Sequence, residues 1–461
     1  MAVEQAAFGG MGIAKVEGFA VFVDQAVPGD RVLVRVVKKK KNFAQARVLE
    51  LRSPSPDRVE APCPYSGYCG GCKWQYLAYE KQLAYKQQHV KDALAHIALV
   101  HDVPVHPTIP SKEIFGYRNK MEFSCATRRW LMPDEFQRED NEKFLPAVGL
   151  HVPGTFDKVL DIQRCLLQQA PGNELLGEIR RYIMASALPV YGLRTHEGFW
   201  RFAVLRYSFA HDQWMVNLVT RTDERAQVQP LADALMEQYP RVVSVINNIT
   251  ASKAGVAMGE YENLLAGQPF LLERIGPWEF EISANSFFQT NTRQAQVLYD
   301  VVRDYARLTG VESVLDLYCG AGTIAIYLSS MAGQVIGFEM AESAVADARR
   351  NCERNGIENC RFISGDLRSS LSVEGKPPEV IVVDPPRAGM HKDVVDQICA
   401  LKPERIVYVS CNPATMARDI IALKEAYQIE EVQPVDMFPH TYHVESVVKL
   451  QRKLICTPKM G

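Results

Sequence analysis

The stretch from Ser313 to Met340, "SVLDLYCGAGTIAIYLSSMAGQVIGFEM", decides the fold. "SVLDLYCGAGT" is an apolar strand running into a glycine turn, "TIAIYLSSM" has apolar residues at helical spacing, and "QVIGFEM" is a second short apolar run. Strand, glycine turn, helix and strand in that order is the repeating unit of a parallel sheet covered by helices. Downstream the alternation continues. A helix, "ESAVADARRNCERNG", ends at Gly356, and two strands follow, "CRFISGDL" and "EVIVVDPPRAG". The helix "DVVDQICALK" then leads to a fifth strand inside "RIVYVSCNPATMARD". From about Pro277 onward the chain therefore reads as a doubly wound α/β sheet, whose ligands lie at the carboxyl ends of the strands.

Those ends are rich in chemistry. Gly320 and Gly322 follow the first strand, Glu339 tips the second, Asp366 the third and Asp384 the fourth. Glycines let a ligand approach the backbone, and an acid on the second strand is placed to accept hydrogen bonds from ribose hydroxyls. The third glycine of a dinucleotide fingerprint and the lysine of a P-loop are missing, which disfavours a pyrophosphate ligand. S-adenosylmethionine, a nucleoside without phosphate, fits better.

Cys411 ends the fifth strand, one strand along from Asp384, so both are expected to face one cleft. A cysteine on its own is most often a buried apolar residue. Here the sheet rim makes it a candidate nucleophile, with a pKa open to depression by nearby donors and by a helix expected from about Thr415. In "MFPHTYHVESVVKL", Glu445 enters an apolar strand, where a carboxylate is costly unless it is paired or functional. Desolvation would raise its pKa and make it a usable general base; a solvated acid at a strand end is the competing reading.

Upstream the texture differs. Residues up to about Leu51 alternate apolar and polar positions in short runs broken by Gly and Pro, as in a small all-β barrel. From Arg31 to Arg52 there are eight positive residues (Arg31, Arg35, Lys38, Lys39, Lys40, Lys41, Arg47, Arg52) against Glu50 alone, either a solvated face or a footprint for phosphates. "SPSPDRVEAPCP" is suited to a linker, "YLAYEKQLAYKQQHVKDALAHI" reads as an amphipathic helix, and "FAVLRYSFAHDQWMVNLVT" alternates like paired strands.

The 461 residues suffice for about three domains. With 47% hydrophobic and 23% charged residues and a net charge of -2, the composition is that of a soluble globular protein. No apolar run approaches a membrane span and the start lacks the features of a signal peptide, so a cytoplasmic location is expected. In that setting eleven cysteines point to metal ligation or catalysis rather than to disulfides. Cys63, Cys69 and Cys72 stand at C-x5-C-x2-C spacing, and Gly70 and Gly71 allow the loop to wrap a ligand; zinc and an iron-sulfur cluster both suit that pattern.

Five motifs, "FFQTN" at Phe287, "DLYCGAGT" at Asp316, "DPPRAG" at Asp384, "SCNP" at Ser410 and "HVES" at His443, stand in the order seen in RNA 5-methyluridine methyltransferases, which this chain resembles. "AFGGMGIAKVEG" with "FVDQAVPGDRV" is similar to that family's N-terminal TRAM barrel, an oligonucleotide-binding β-fold. Three units follow from the resemblance: a TRAM/OB-like barrel over 1–53, a central mixed α+β unit over 54–276, and a Rossmann-like class I methyltransferase unit over 277–461. It implies Cys411 as nucleophile, Glu445 as proton acceptor, and Gln289, Tyr318, Glu339 and Asp384 around the methyl donor and the uracil. Asp384 is expected to accept from the ring. Thr323, where relatives can carry Asn, and Asp366, on the adenine side, complete the implied donor site. Cys165 would join Cys63, Cys69 and Cys72 as ligands of a 4Fe-4S cluster, with Cys125 the rival fourth ligand. Phe287 or Phe288 would hold an extruded base, ordinary core packing being the alternative for each.

The implied activity is transfer of a methyl group from S-adenosylmethionine to C5 of a uridine, in 23S ribosomal RNA rather than transfer RNA, by a monomeric enzyme. Two other readings compete: an RNA-binding protein with a decayed catalytic domain, and an amino-group methyltransferase recognised by an acidic-Pro-Pro signature. The filled nucleophile, acid and base positions argue against the first. Arg387, where amino-group enzymes place an aromatic residue, argues against the second.

Overall fold

The computed structural model describes residues 1–136, 145–369, 371 and 377–453. Residues 454–461 of the expected third unit lie outside it. The apolar runs downstream of Ser313 form a seven-stranded sheet, ordered Cys360–Ser364, Gln334–Glu339, Ser313–Leu317, Val380–Val383, Arg405–Ser410, Glu445–Arg452, Tyr427–Val435. The first five strands are parallel, and Glu445–Arg452 runs antiparallel to both of its neighbours. Val380–Val383 reads Val-Ile-Val-Val and is buried at every position, as befits a parallel strand covered on both faces. Helices Thr292–Ala306, Thr323–Ser329 and Glu342–Arg354 cover one face. Lys392–Leu401, Pro413–Leu423 and the upstream helix Tyr79–Ala93, continued by Leu94–Ala98, cover the other. Strand order reverses beside Ser313–Leu317, so a crevice opens between its tip and that of Val380–Val383.

The upstream helix is fixed to this sheet by a buried ion pair. Lys86 Nζ lies 2.5 Å from Asp436 Oδ1, both side chains fully buried. Tyr79 donates to the same carboxylate at 2.9 Å, and Lys86 donates to the Phe438 carbonyl at 3.1 Å. Removing one partner of a buried pair strands the other charge in low dielectric. Lys86→Met should therefore lower unfolding free energy by roughly 3–5 kcal/mol, read as a fall in the urea midpoint, whereas the Lys86→Met/Asp436→Leu pair should recover most of that loss.

The first fifty-odd residues form a five-stranded sheet whose ends approach through a bridge between Ala2 and Arg31, giving the expected barrel. Its basic residues lie on the exposed ribbon of Arg31–Lys39 and Phe43–Ser53. The Pro- and Ser-rich stretch after it is not a free linker: buried Asp30 accepts from the Ser55 amide and pairs with Arg58 at 2.6 Å. Between barrel and C-terminal sheet lies an eight-stranded sheet in which Trp200–Ser208 and Gln213–Thr220 pair antiparallel, as their alternation predicts. Helices Pro171–Ala185 and Arg225–Gln238 cover one side of it. No helix among the described residues is long and apolar enough to cross a membrane.

Candidate active site

Cys411 leaves the Arg405–Ser410 strand directly into a helix that starts at Pro413, two residues earlier than the sequence suggests. Asn412 caps it, accepting from the Ala414 amide at 3.1 Å, and donates through Nδ2 to the Arg387 carbonyl at 3.2 Å. Thr415 Oγ1 donates to the same carbonyl at 3.3 Å. The Asp384-Pro-Pro-Arg387 turn and the cysteine turn are thereby stitched together. Register Ser410↔Ser446 in the neighbouring antiparallel strand brings Glu445 alongside Cys411.

Electrostatically this corner is crowded with acids. Glu445 is only 5% exposed; burial and the nearby Asp384 raise its pKa well above the usual carboxylate value, against the pull of Arg387. Burial lifts Asp384 to about 6. The Cys411 thiol is pushed up to about 12, by burial first and then by Glu445 and Asp384, with Arg387 opposing. The expected depression of that thiol is therefore corrected: the adjoining helix start is outweighed by desolvation and two acids. Behind them Asp316 is fully buried, raised by burial and by Asp384; its Oδ2 accepts from the Ala325 amide at 3.0 Å while Oδ1 has no protein partner.

Two cavities meet here. A narrow slot of about 30 Å³ runs past Gln289, Tyr318, Gly320, Thr323 and Asp384. Tyr318 has φ 64° and Gly320 φ 53°, a left-handed pair that turns the backbone out of the strand, and nothing lies over Gly320 within 4 Å of where a Cβ would stand. Glu339 accepts from the Gly320 amide at 3.1 Å and the Ala341 amide at 2.9 Å. An uncovered glycine turn beside that carboxylate, with the orphaned Asp316 oxygen nearby, fits a nucleoside methyl donor. Thr323 lines the slot but is already bonded to the Tyr299 hydroxyl at 2.8 Å. Asp366 lines neither cavity; Arg368 clamps it through two nitrogens and holds it at about 2.

The larger cavity, about 580 Å³, continues from Phe287 and Gln289 to Arg387 and His443 and on to Cys63, Cys69, Cys72 and Cys165. Phe287 and Phe288 both line the two cavities; Phe287 is 68% exposed, and Phe288 is 3% exposed and packs near the Phe280 ring. The four thiols share one wall; Gly71 donates its amide to Cys69 Sγ at 3.4 Å, and Cys165 is set by its amide bond to Asn173 at 2.8 Å. Cys125 lies in the core of the central sheet instead. Among the described residues no three His, Cys, Asp or Glu side chains stand close enough to grip a single ion. The sequence marks Arg387 only by its contrast with amino-group enzymes and His443 only as the start of a motif, and gives neither a place in the site. The available signal was their position beside Asp384-Pro-Pro and two residues before Glu445.

A model of the tRNA (uracil-5-)-methyltransferase family matches residues 277–453, and one of the TRAM domain matches residues 2–49. The Pyrococcus abyssi tRNA (uracil-54, C5)-methyltransferase, solved in complex with S-adenosyl-L-homocysteine, superposes with a TM-score of 0.76 at 32% identity, over 98% of this chain and 99% of its own. An uncharacterized RNA methyltransferase of Chlorobaculum tepidum is 44% identical over 446 residues, 95% of this chain and 92% of the relative. Another, from Porphyromonas gingivalis, is 42% identical over 98% of this chain and 99% of its own.

The chain belongs to the RNA uracil-5 methyltransferase family. It is an S-adenosylmethionine-dependent enzyme, and the decayed-domain and amino-group readings fall away. In this methyltransferase the TRAM barrel presents its basic ribbon to solvent.

Proposed function

We propose that the enzyme methylates C5 of a uridine in 23S ribosomal RNA by transient attachment of Cys411 to C6, with Glu445 and Asp384 moving the protons. One observation supports the chemistry: the antiparallel last strand brings Glu445 level with Cys411, and Glu445 and Asp384 both lie near enough to raise the thiol. Gln289, Tyr318, Glu339 and Asp384 would hold the donor, with Thr323 at its edge and Asp366 set aside by Arg368. The donor, when bound, supplies an electrophilic methyl group.

The raised pKa values dictate an order of proton movements. A free thiolate between two acids is disfavoured, so Cys411 Sγ bonds to C6 as its proton passes to Asp384, the carboxylate ionised at neutral pH. Electrons of the C5–C6 bond shift toward O4, and C5 then takes the methyl group. Neutralising Asp384 removes the second cause that raises Glu445, after burial, and so favours the ionised form of Glu445 that acts as base. Glu445 abstracts the C5 proton, the C5–C6 double bond re-forms, the S–C6 bond breaks, and Asp384 returns the proton to sulfur. Asp384, expected from the resemblance to accept from the ring, thereby takes a second role as carrier of the thiol proton. Extrusion of the base into the cavity is required for reach, and exposed Phe287 is the stacking surface. Below about pH 6 Asp384 is protonated and accepts nothing, so single-turnover rates should fall about tenfold per pH unit there. A rate flat down to pH 5 would remove Asp384 from this role.

Cys63, Cys69, Cys72 and Cys165 are proposed to hold a 4Fe-4S cluster, zinc being the alternative. The four cysteines line one cavity, and the Gly71 amide is placed to stabilise a ligating sulfur. Protein purified without air should hold iron and acid-labile sulfide in equal amounts, and Cys69→Ser should lose both; zinc without sulfide would decide for the alternative.

The choice of ribosomal RNA rests on the basic barrel together with the cysteine wall. Transfer RNA is the second reading, favoured by the whole-chain likeness to the Pyrococcus abyssi tRNA enzyme. Mass-spectrometric mapping of 5-methyluridine in both RNA classes, from cells with and without the gene, tests the choice: loss from transfer RNA alone would overturn the ribosomal assignment.

A further inference from the structure

A third cavity, of about 800 Å³, opens on the central unit away from the reacting groups, and no step above uses it. Its lining includes His151, Phe156, Arg194, His196, Phe202 and Lys253. Phe156 is 63% exposed, an unusual state for a phenyl ring unless something covers it. The Arg194 guanidinium lies 5.4 Å from its ring centroid and is itself tied to Asp157.

The surroundings are anchored. Buried Arg201 donates to the carbonyls of Thr250, Ser252 and Ala254 at 2.9, 2.6 and 2.7 Å, pinning the loop that carries exposed Lys253. Opposite, His196 holds a left-handed φ of 58°, its carbonyl accepting from Arg221 at 2.7 Å and its ring bonded to the Tyr191 hydroxyl at 3.1 Å. Leu150 lines the cavity of about 580 Å³ and the next residue of the same strand, His151, lines this one, so the two open on opposite faces of the central sheet.

We infer that this recess binds an unpaired nucleotide of the RNA substrate outside the catalytic pocket, its base stacked on Phe156 and its phosphate held by Lys253. An exposed ring flanked by cations on fixed backbone is what single-stranded RNA recognition needs, since every base offers a π-face and every linkage a negative charge. RNA is favoured over other occupants because it is the enzyme's substrate class and because the ring and cation complement a base and its phosphate. The inference rests only on the enzyme acting on RNA. It depends neither on Cys411 chemistry nor on which uridine is modified.

The test uses the full chain and a fluorescent ten-nucleotide oligouridylate containing 4-thiouridine. After irradiation, peptide mapping should find a cross-link within residues 153–158 or 193–196. Phe156→Ala should weaken binding about tenfold, as for loss of one stacked base. Lys253→Gln should lower the slope of log affinity against log salt by about one, as for loss of one phosphate contact. Both side chains are exposed, so neither substitution removes core packing. Cross-links confined to the barrel and the catalytic cavity, with both variants binding like the unaltered protein, would overturn the inference.

Discussion

Cys411→Ala is expected to form no detectable 5-methyluridine, a loss of at least ~10⁴-fold in single-turnover rate, while RNA affinity stays within about twofold. Uracil C5 is too weak a nucleophile to take a methyl group until sulfur has added at C6, and no neighbouring group replaces that addition. Cys411 is half-buried at the head of a helix whose cap, Asn412, keeps its own bonds, so the truncation leaves the turn intact. The substitution touches neither the basic ribbon nor the wall of the cysteine-lined cavity, to which we attribute RNA affinity. The same chemistry predicts that RNA containing 5-fluorouridine, whose C5 has no removable proton, traps the unaltered enzyme as an adduct through Cys411 once the donor is present. Measurable methylation by the alanine variant would end the covalent route.

Glu445→Gln should fail differently. Addition at C6 and methyl transfer need Cys411, Asp384 and the donor, so they proceed; removal of the C5 proton needs a carboxylate at position 445, and an amide cannot accept it. The expected product is a methylated RNA covalently held to protein, stable to denaturant and stoichiometric, with turnover reduced by about 10²–10⁴-fold. Glutamine preserves size and hydrogen bonding at a position that is 5% exposed, so fold and RNA binding should be retained. Denaturing gel electrophoresis with labelled RNA reads the adduct, and labelled methyl donor shows that the group has been transferred. A variant that releases free methylated RNA at an unchanged rate would place the base elsewhere, with Asp384 the next candidate.

Much of the catalytic domain was legible because local rules fixed it. "EVIVVDPPRAG" reads as a buried parallel strand because every residue of its apolar core is branched, and it is one. The glycine turn after Asp316 was legible for a similar reason: Gly322, at φ 76°, would place a Cβ 2.8 Å from the Phe362 ring, and only glycine fits. The order of acids along the strand tips followed from strand-helix alternation alone. What misled was environment. The sequence puts a helix start next to Cys411 and so suggests a lowered pKa. It does not reveal that two acids raise the thiol.

By itself, then, the sequence determined the periodicities, the glycine and proline turns, the cysteine spacing and the ordered motifs, because each depends on residues within a few positions of one another. Tertiary structure decided what depends on long-range pairing. The last strand inserts antiparallel between Arg405–Ser410 and Tyr427–Val435 rather than adding at the edge, and that register alone brings Glu445 to Cys411. Folding likewise brought Cys165 to the same cavity as three cysteines almost a hundred residues upstream, and left Phe287 exposed while burying Phe288. Contacts of this kind are set by which apolar faces pack together across the whole chain, and no local pattern encodes them.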